Sequence, residues 1–136
     1  MSVKVGDRTE GKLSVLNEIR KLSVYTLQIC RNEKVFPKNS RWILAKPIID
    51  ECVQATACIN KANAVYVKTN LDWELRRSYQ VDANAHLHAL IALIDLAYGA
   101  FSIDSSKIEY WTNLCVNTLE RLKSWMKSDN LRYKTI

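Results

Sequence analysis

The chain is organised around residues Leu71 to Tyr98, which read LDWELRRSYQVDANAHLHALIALIDLAY. Two apolar stripes follow it at helical spacing. The first consists of Ala83, Leu87, Leu90, Ile91, Ile94 and Tyr98, and the second of Ala85, Ala89, Ala92, Leu93 and Leu96. A helix that is apolar on two sides needs a cover on both. We expect the first stripe to enter the core of its own domain and the second to meet another subunit, with an oligomer interface at Ala85, Ala89, Leu93 and Leu96.

The chain is short and poor in residues that break helices. It has 136 residues with three Gly and two Pro, of which 48% are hydrophobic and 25% charged. This composition favours one domain of long helices over a sandwich or barrel. No run approaches the roughly 18 uncharged apolar residues of a membrane span, and Met1–Arg8 lacks the apolar region of a signal peptide. We expect a cytoplasmic protein that makes no contact with a membrane.

Three further amphipathic segments accompany the central helix. We place helices at about Lys12–Arg31, from Asn39 or Ser40 to about Ala62, at Leu71–Tyr98 and at about Ser106–Ser128. Short connections between four helices predict an all-α, antiparallel up-down-up-down four-helix bundle. The bundle would span residues 12–128, between a flexible N-terminal arm at 1–11 and a flexible tail at 129–136.

Local signals mark the helix boundaries. Pro47 predicts a kink in the second helix or, alternatively, its true start. Gly99 is typical of the left-handed residue that ends a helix. Asn70 is the predicted cap of the third helix, and Asp104 or Ser105 that of the fourth.

The residue types that carry catalysis or bind metals form no recognisable set. His86 and His88 project to different faces of one helix, although Asp82 could pair with His86. There is no Glu-x-x-His motif and no Gly-rich phosphate loop. Four cysteines without a CxxC spacing, Cys30, Cys52, Cys58 and Cys115, are predicted to be buried reduced thiols. We expect no catalytic residue, no metal and no cofactor, and hence no enzyme.

The charge balance favours an anionic partner. The net charge is +6, and the basic residues gather towards the two ends of the predicted bundle. Acidic residues among them allow an ordinary solvated surface, but a ring of subunits would add the patches together. We assign phosphate contacts, rather than base recognition, to Lys38, Arg41, Arg76, Arg77, Arg121, Lys123 and Lys127.

The four tryptophans are distributed along the chain. Trp111 is predicted to lie in the core. Trp42, Trp73 and Trp125 fall near helix ends, where core or interface positions are expected and base stacking is the alternative.

A set of short segments carries a family resemblance. They are Tyr25-Thr26-Leu27, Asn32-Glu33, Phe36-Pro37-Lys38, Arg41-Trp42, Lys61-Ala62-Asn63, Arg76-Arg77 with Gln80, Lys107-Ile108-Glu109-Tyr110-Trp111 and Trp125-Met126-Lys127-Ser128-Asp129. In order and spacing, from about Ser14 to Arg132, they resemble the Avd-type family. These are the accessory variability proteins of bacterial diversity-generating retroelements, and they are similar to small four-helix proteins encoded in intervening sequences of bacterial 23S ribosomal RNA genes.

The resemblance implies a four-helix bundle that assembles as a basic ring, typically a homopentamer, without a catalytic centre. It implies a reverse transcriptase and template RNA, or other nucleic acid, as partners in error-prone cDNA synthesis. We therefore expect a non-catalytic accessory protein of such a retroelement. The alternative is a scaffold of the ribosomal intervening-sequence type that acts through protein–protein contacts, with its charge serving solubility or an acidic partner.

Overall fold

A computed structural model describes the backbone of residues 5–135 and the side chains of residues 14–41 and 43–135. Within this part the chain forms four α-helices and no strand: α1 (Val5–Arg31), α2 (Arg41–Ala64), α3 (Asn70–Ala100) and α4 (Ser105–Tyr133). The all-α class predicted from the sequence is confirmed. Nowhere in residues 5–135 does a helix combine the length and the apolar character that crossing a membrane requires.

Each helix packs against two others, an arrangement compatible with a bundle. α2 packs on α1 and α3, and α4 packs on the same two helices. The first stripe of α3 enters the core as predicted, since Ala83, Leu87, Leu90 and Ile94 are at most 1% exposed. Tyr98 is 44% exposed, and Ala97 takes its place because it lies seven residues, about two turns, after Leu90.

Aromatic contacts join α1 to α4 and bring two connections together. The indole Nε1–H of Trp111 donates to the hydroxyl of Thr26 at 2.9 Å, which satisfies the only polar atom of a fully buried ring. The rings of Phe36 and Phe101 meet edge to face with centroids 5.6 Å apart. The connection between α1 and α2 therefore lies beside the connection between α3 and α4.

Two helices extend beyond their sequence-based boundaries. α1 begins at Val5, so residues 5–11 belong to a helix rather than to the expected arm, whose residues 1–4 lie outside the described part. α4 continues to Tyr133, and Asp129 is 0% exposed. The prediction of a flexible tail from residue 129 is therefore wrong for Asp129 through Tyr133.

The cap of α3 is Thr69 and not the predicted Asn70. The Thr69 hydroxyl accepts from the Asp72 N–H at 3.2 Å, and the Asp72 carboxylate accepts in return from the Thr69 N–H at 3.0 Å. Hydrogen bonds from the backbone N–H groups of Lys68 and Thr69 lower the pKa of Asp72. This reciprocal pair is a capping box. The Asp104 carboxylate caps α4 as predicted, by accepting from the Ser106 N–H.

One local prediction about helix interruption fails, and one of two alternatives for Pro47 is excluded. Gly99 does not adopt a left-handed conformation, because α3 runs through it to Ala100. α2 begins at Arg41 and includes Pro47, so Pro47 does not mark its start. Pro47 is the seventh residue of α2 and removes the backbone donor that would bond to the carbonyl four residues earlier, so the kink stays a prediction.

Candidate nucleic-acid interface

Arg76 lies in the core and not on the surface. Its Nε is 2.9 Å from Oδ2 of Asp129, and the two side chains are 2% and 1% exposed. The Nε–H does not point at this oxygen, so the contact is an ion pair rather than a linear hydrogen bond. Gln80 Nε2 donates to the same Oδ2 at 2.8 Å. The assignment of Arg76 to phosphate contact is therefore wrong.

Helical position explains why Arg76 turns inward. It lies four residues before Gln80 and seven before Ala83, and all three residues share the buried face of α3. The guanidinium carbon sits 5.1 Å from the ring centroid of Trp125, a cation–π contact that partly offsets the loss of water. Trp73 and Trp125 are buried beside this pair, whereas the side chain of Trp42 lies outside the described part.

Three exposed cations lie along the flank where α3 meets α4. Arg77 and Lys127 both line a cleft of about 200 Å³ between these helices. Lys123 lies four residues before Lys127 and therefore on the same side of α4. Among the described side chains no carboxylate lies within ion-pairing distance of these three residues. We call Arg77, Lys123 and Lys127 the α3–α4 patch.

Arg121 lies on a different flank of α4. It is exposed, and it follows Tyr110 by eleven residues, about three full turns, so the two share a side of the helix. The ring of Tyr110 packs edge to face on Tyr25 of α1 with centroids 4.8 Å apart. Arg121 therefore faces the side of α1 and stands apart from the α3–α4 patch.

Lys38 and Arg41 lie at the connection between α1 and α2. The Arg41 guanidinium donates to the carbonyl oxygens of Arg31 at 2.7 Å and of Phe36 at 3.2 Å. Arg31 is the last residue of α1 and Phe36 lies in the connection that follows, so the side chain fixes the chain where it leaves the helix. Glu33 lies 3.3 Å from Lys38 and 3.8 Å from Arg41. Both predicted phosphate-binding residues are thus partly neutralised, and Arg41 holds local structure.

The predicted oligomer-interface residues on α3 differ in exposure. Ala85 is exposed and Leu96 is 56% exposed, whereas Ala89 and Leu93 are half-buried. Leu93 packs against the core of its own chain. Near them His86 Nδ1 lies 2.6 Å from Oε2 of Glu51, not beside Asp82, so α2 covers part of this flank.

All four cysteines are buried free thiols, as predicted. Burial raises the pKa of Cys30 and of Cys115 to about 12, with a smaller contribution from nearby Cys52. Burial also raises the pKa of Cys52 and Cys58. The thiols therefore stay protonated at neutral pH and are poor nucleophiles. In the described residues no group of three or more His, Cys, Asp or Glu side chains is arranged to hold a metal ion.

An apolar groove between α1 and α2 was not expected from the sequence. It measures about 370 Å³ and is lined by residues that include Leu27, Cys52 and Val53. Leu27 is 47% exposed and Val53 is 53% exposed. The sequence places Leu27 on the apolar side of the first helix and leaves Val53 off the inward positions of the second, and single exposed apolar residues are common. Only their juxtaposition across two helices forms the groove.

The chain matches no protein-family model, no curated protein and no solved structure. An assignment of function therefore rests on the surface chemistry described above and on the resemblance of its sequence segments.

Proposed function

We propose that this protein is a non-catalytic, nucleic-acid-binding accessory protein of the Avd type, which serves the reverse transcriptase of a diversity-generating retroelement. The observation that carries the proposal is the α3–α4 patch, whose three cations are exposed and without a carboxylate partner among the described side chains. Unpaired lysines and arginines on one flank can neutralise successive phosphates of an RNA backbone. The remaining support is the net charge of +6 and the ordered segments of the family resemblance.

We further infer that the helices run in antiparallel up-down-up-down order. Contacts between neighbouring helices support this order, because residues that are late in one helix meet residues that are early in the next. Lys61, late in α2, lies 5.8 Å from the ring centroid of Tyr79, early in α3. Glu51, nearer the start of α2, contacts His86, which lies further along α3. Trp73 likewise packs on Tyr133. Connections of a few residues favour the same arrangement.

The proposal includes a cytoplasmic homo-oligomeric ring, typically a pentamer. Exposed Ala85 and Leu96 leave apolar surface on α3 for a second copy. A ring would repeat the α3–α4 patch by symmetry, so that modest patches add to a strong positive field. The proposed partners are the reverse transcriptase and template RNA.

A titration of the purified protein against structured RNA at roughly 50 and 200 mM salt tests the proposal. Release of counterions predicts a loss of affinity of about a thousandfold or more if six or more phosphates are neutralised by the assembly. A steep loss supports the nucleic-acid function, and co-purification with the reverse transcriptase is then expected. Absence of binding at the lower salt concentration contradicts it.

The apolar groove between α1 and α2 favours a second candidate, a scaffold of the ribosomal intervening-sequence type that binds a protein. Its exposed Leu27 and Val53 could receive the apolar face of a partner helix. Binding through this groove would depend weakly on salt, since it buries apolar surface and releases few ions. Val53→Asp would abolish such binding while leaving RNA affinity unchanged.

A further inference from the structure

The cleft between α3 and α4 combines features that the bundle itself does not require. Its volume is about 200 Å³, below the roughly 300 Å³ at which pockets for drug-sized ligands begin. Its walls include the indole of Trp73 and the side chain of Met126, and its rim carries Arg77 and Lys127. Such a space suits one flat ring with an anionic group attached, and it is too small for a base pair.

Buried polar atoms beside the cleft lack partners. Gln80 lines the cleft and is 0% exposed, yet its Oε1 has no hydrogen bond. Its Nε2 is held by Asp129, which fixes the amide so that the oxygen alone is free to accept. Buried polar groups without a partner are rare and costly in native proteins, and they point to a missing ligand or ordered water. Gln80 therefore supplies an acceptor at the inner wall.

The aromatic wall is held rigidly. Trp73 packs on Tyr133 with ring centroids 5.4 Å apart. Trp73 lies at the beginning of α3 and Tyr133 at the end of α4, so the contact joins the two helices that form the cleft. Because Trp73 is only 6% exposed, the part of its indole that lines the cleft offers an apolar contact to a base rather than an open stacking face.

We infer that this cleft binds a single unpaired nucleotide. The base lies against Trp73 and Met126 and donates a hydrogen bond to Gln80 Oε1, while its phosphate is bound by Arg77 and Lys127. The inference rests on the proposed function and deepens it, because it names single-stranded nucleic acid as the substrate class. A nucleotide in a duplex cannot enter, since its base is stacked and paired.

The test uses Asn130→Phe, which fills the cleft without changing charge. Asn130 is an exposed wall residue, and Phe and Asn have similar helix propensities, so the fold is retained. The matched control is Asn117→Phe, an exposed position on the same helix outside the cleft. Each protein is titrated with a single-stranded ribo-octamer, with a blunt RNA duplex and with adenosine monophosphate.

We expect Asn130→Phe to weaken binding of the octamer roughly 10-fold, the scale for loss of one or two hydrogen bonds. Binding of the duplex should not change, and Asn117→Phe should behave as the wild type. Unchanged octamer affinity in Asn130→Phe would overturn the cleft proposal and leave the proposed function intact. If the wild type binds only the mononucleotide, and Asn130→Phe abolishes this, the cleft is a site for a free nucleotide and the proposed function fails. Failure of the wild type to bind any of the three overturns both.

Discussion

Arg76 and Asp129 form a buried ion pair, 2.9 Å apart, that links the first half of α3 to the last turn but one of α4. The pair also orders its surroundings, because Asp129 accepts from Gln80 and lies 3.6 Å from the guanidinium of Arg132. The polar cluster beside the α3–α4 cleft thus depends on Arg76, predicted from the sequence to contact phosphate, and on Asp129, predicted to lie in a flexible tail.

Removal of one member of this pair should be severely destabilising. Asp129→Leu leaves the Arg76 guanidinium buried without its counter-ion, which costs about 3–5 kcal/mol of unfolding free energy. The double variant Arg76→Met with Asp129→Leu should recover most of this loss, since no uncompensated charge remains. Urea denaturation of the wild type, the single variant and the double variant gives the unfolding free energy of each. Glu120→Leu, at an exposed position on the same helix, is the control and should change stability by less than about 0.5 kcal/mol.

Arg41 should matter for stability and Lys38 should not. Arg41→Met removes two charge-assisted hydrogen bonds, one to the carbonyl of Arg31 at the end of α1 and one to the carbonyl of Phe36 in the connection, so we expect a loss of about 1–3 kcal/mol. Lys38→Met removes only a contact with exposed Glu33, and its effect should be within about 0.5 kcal/mol. Equal stability of the two variants in chemical denaturation would show that Arg41 does not fix this connection.

The cap of α3 can be tested by two neighbouring substitutions. Thr69→Ala removes the acceptor for the Asp72 N–H and should cost about 1 kcal/mol. Asn70→Ala removes only an exposed contact with Glu74 and should be nearly neutral. Thermal unfolding of both variants distinguishes them, and a larger effect at Asn70 would restore it as the cap.

The buried cysteines should make the protein sensitive to alkaline pH. A thiol with an ordinary pKa of 9.0 ionises in the unfolded chain, whereas Cys115 in the folded chain has a pKa raised to about 12. The folded state therefore binds more protons between these values, and the unfolding free energy should fall as pH rises from 9 towards 12. Cys115→Ala should show a shallower fall over the same range. An identical slope would mean that other groups cause the alkaline loss.

Apolar spacing was sufficient to predict the helices but not their ends. The stripe through Leu87, Leu90 and Ile94 is strictly periodic, and burying such residues stabilises by about 1.5–3 kcal/mol each, enough to dominate local preferences. A cap depends on very few hydrogen bonds, and Thr69 and Asn70 are both good capping residues. Which of the two caps α3 is therefore visible only in the three-dimensional structure. Gly99 shows the same limit, because a glycine can also continue a helix.

The candidate site was predicted only in part because its partners are distant in the sequence. Arg76 and Arg77 are the same residue type, and only a rotation of about 100° around the axis of α3 makes the first buried and the second exposed. Nothing local to Asp129 indicates that it is the counter-ion of Arg76. Periodicity did carry one usable signal, because Arg76 falls on the buried stripe that continues through Ala83 to Leu87.

We propose that the α3–α4 patch binds nucleic-acid phosphates. The direct measurement is RNA affinity as a function of salt for the triple variant Arg77→Gln, Lys123→Gln, Lys127→Gln. The control is Lys21→Gln, Lys46→Gln, Lys107→Gln, which removes the same charge at exposed sites elsewhere. We predict that the first variant binds weakly and that the slope of log affinity against log salt falls by roughly 2–3, while the control stays close to the wild type. Equal affinities and slopes for the two variants would contradict the claim.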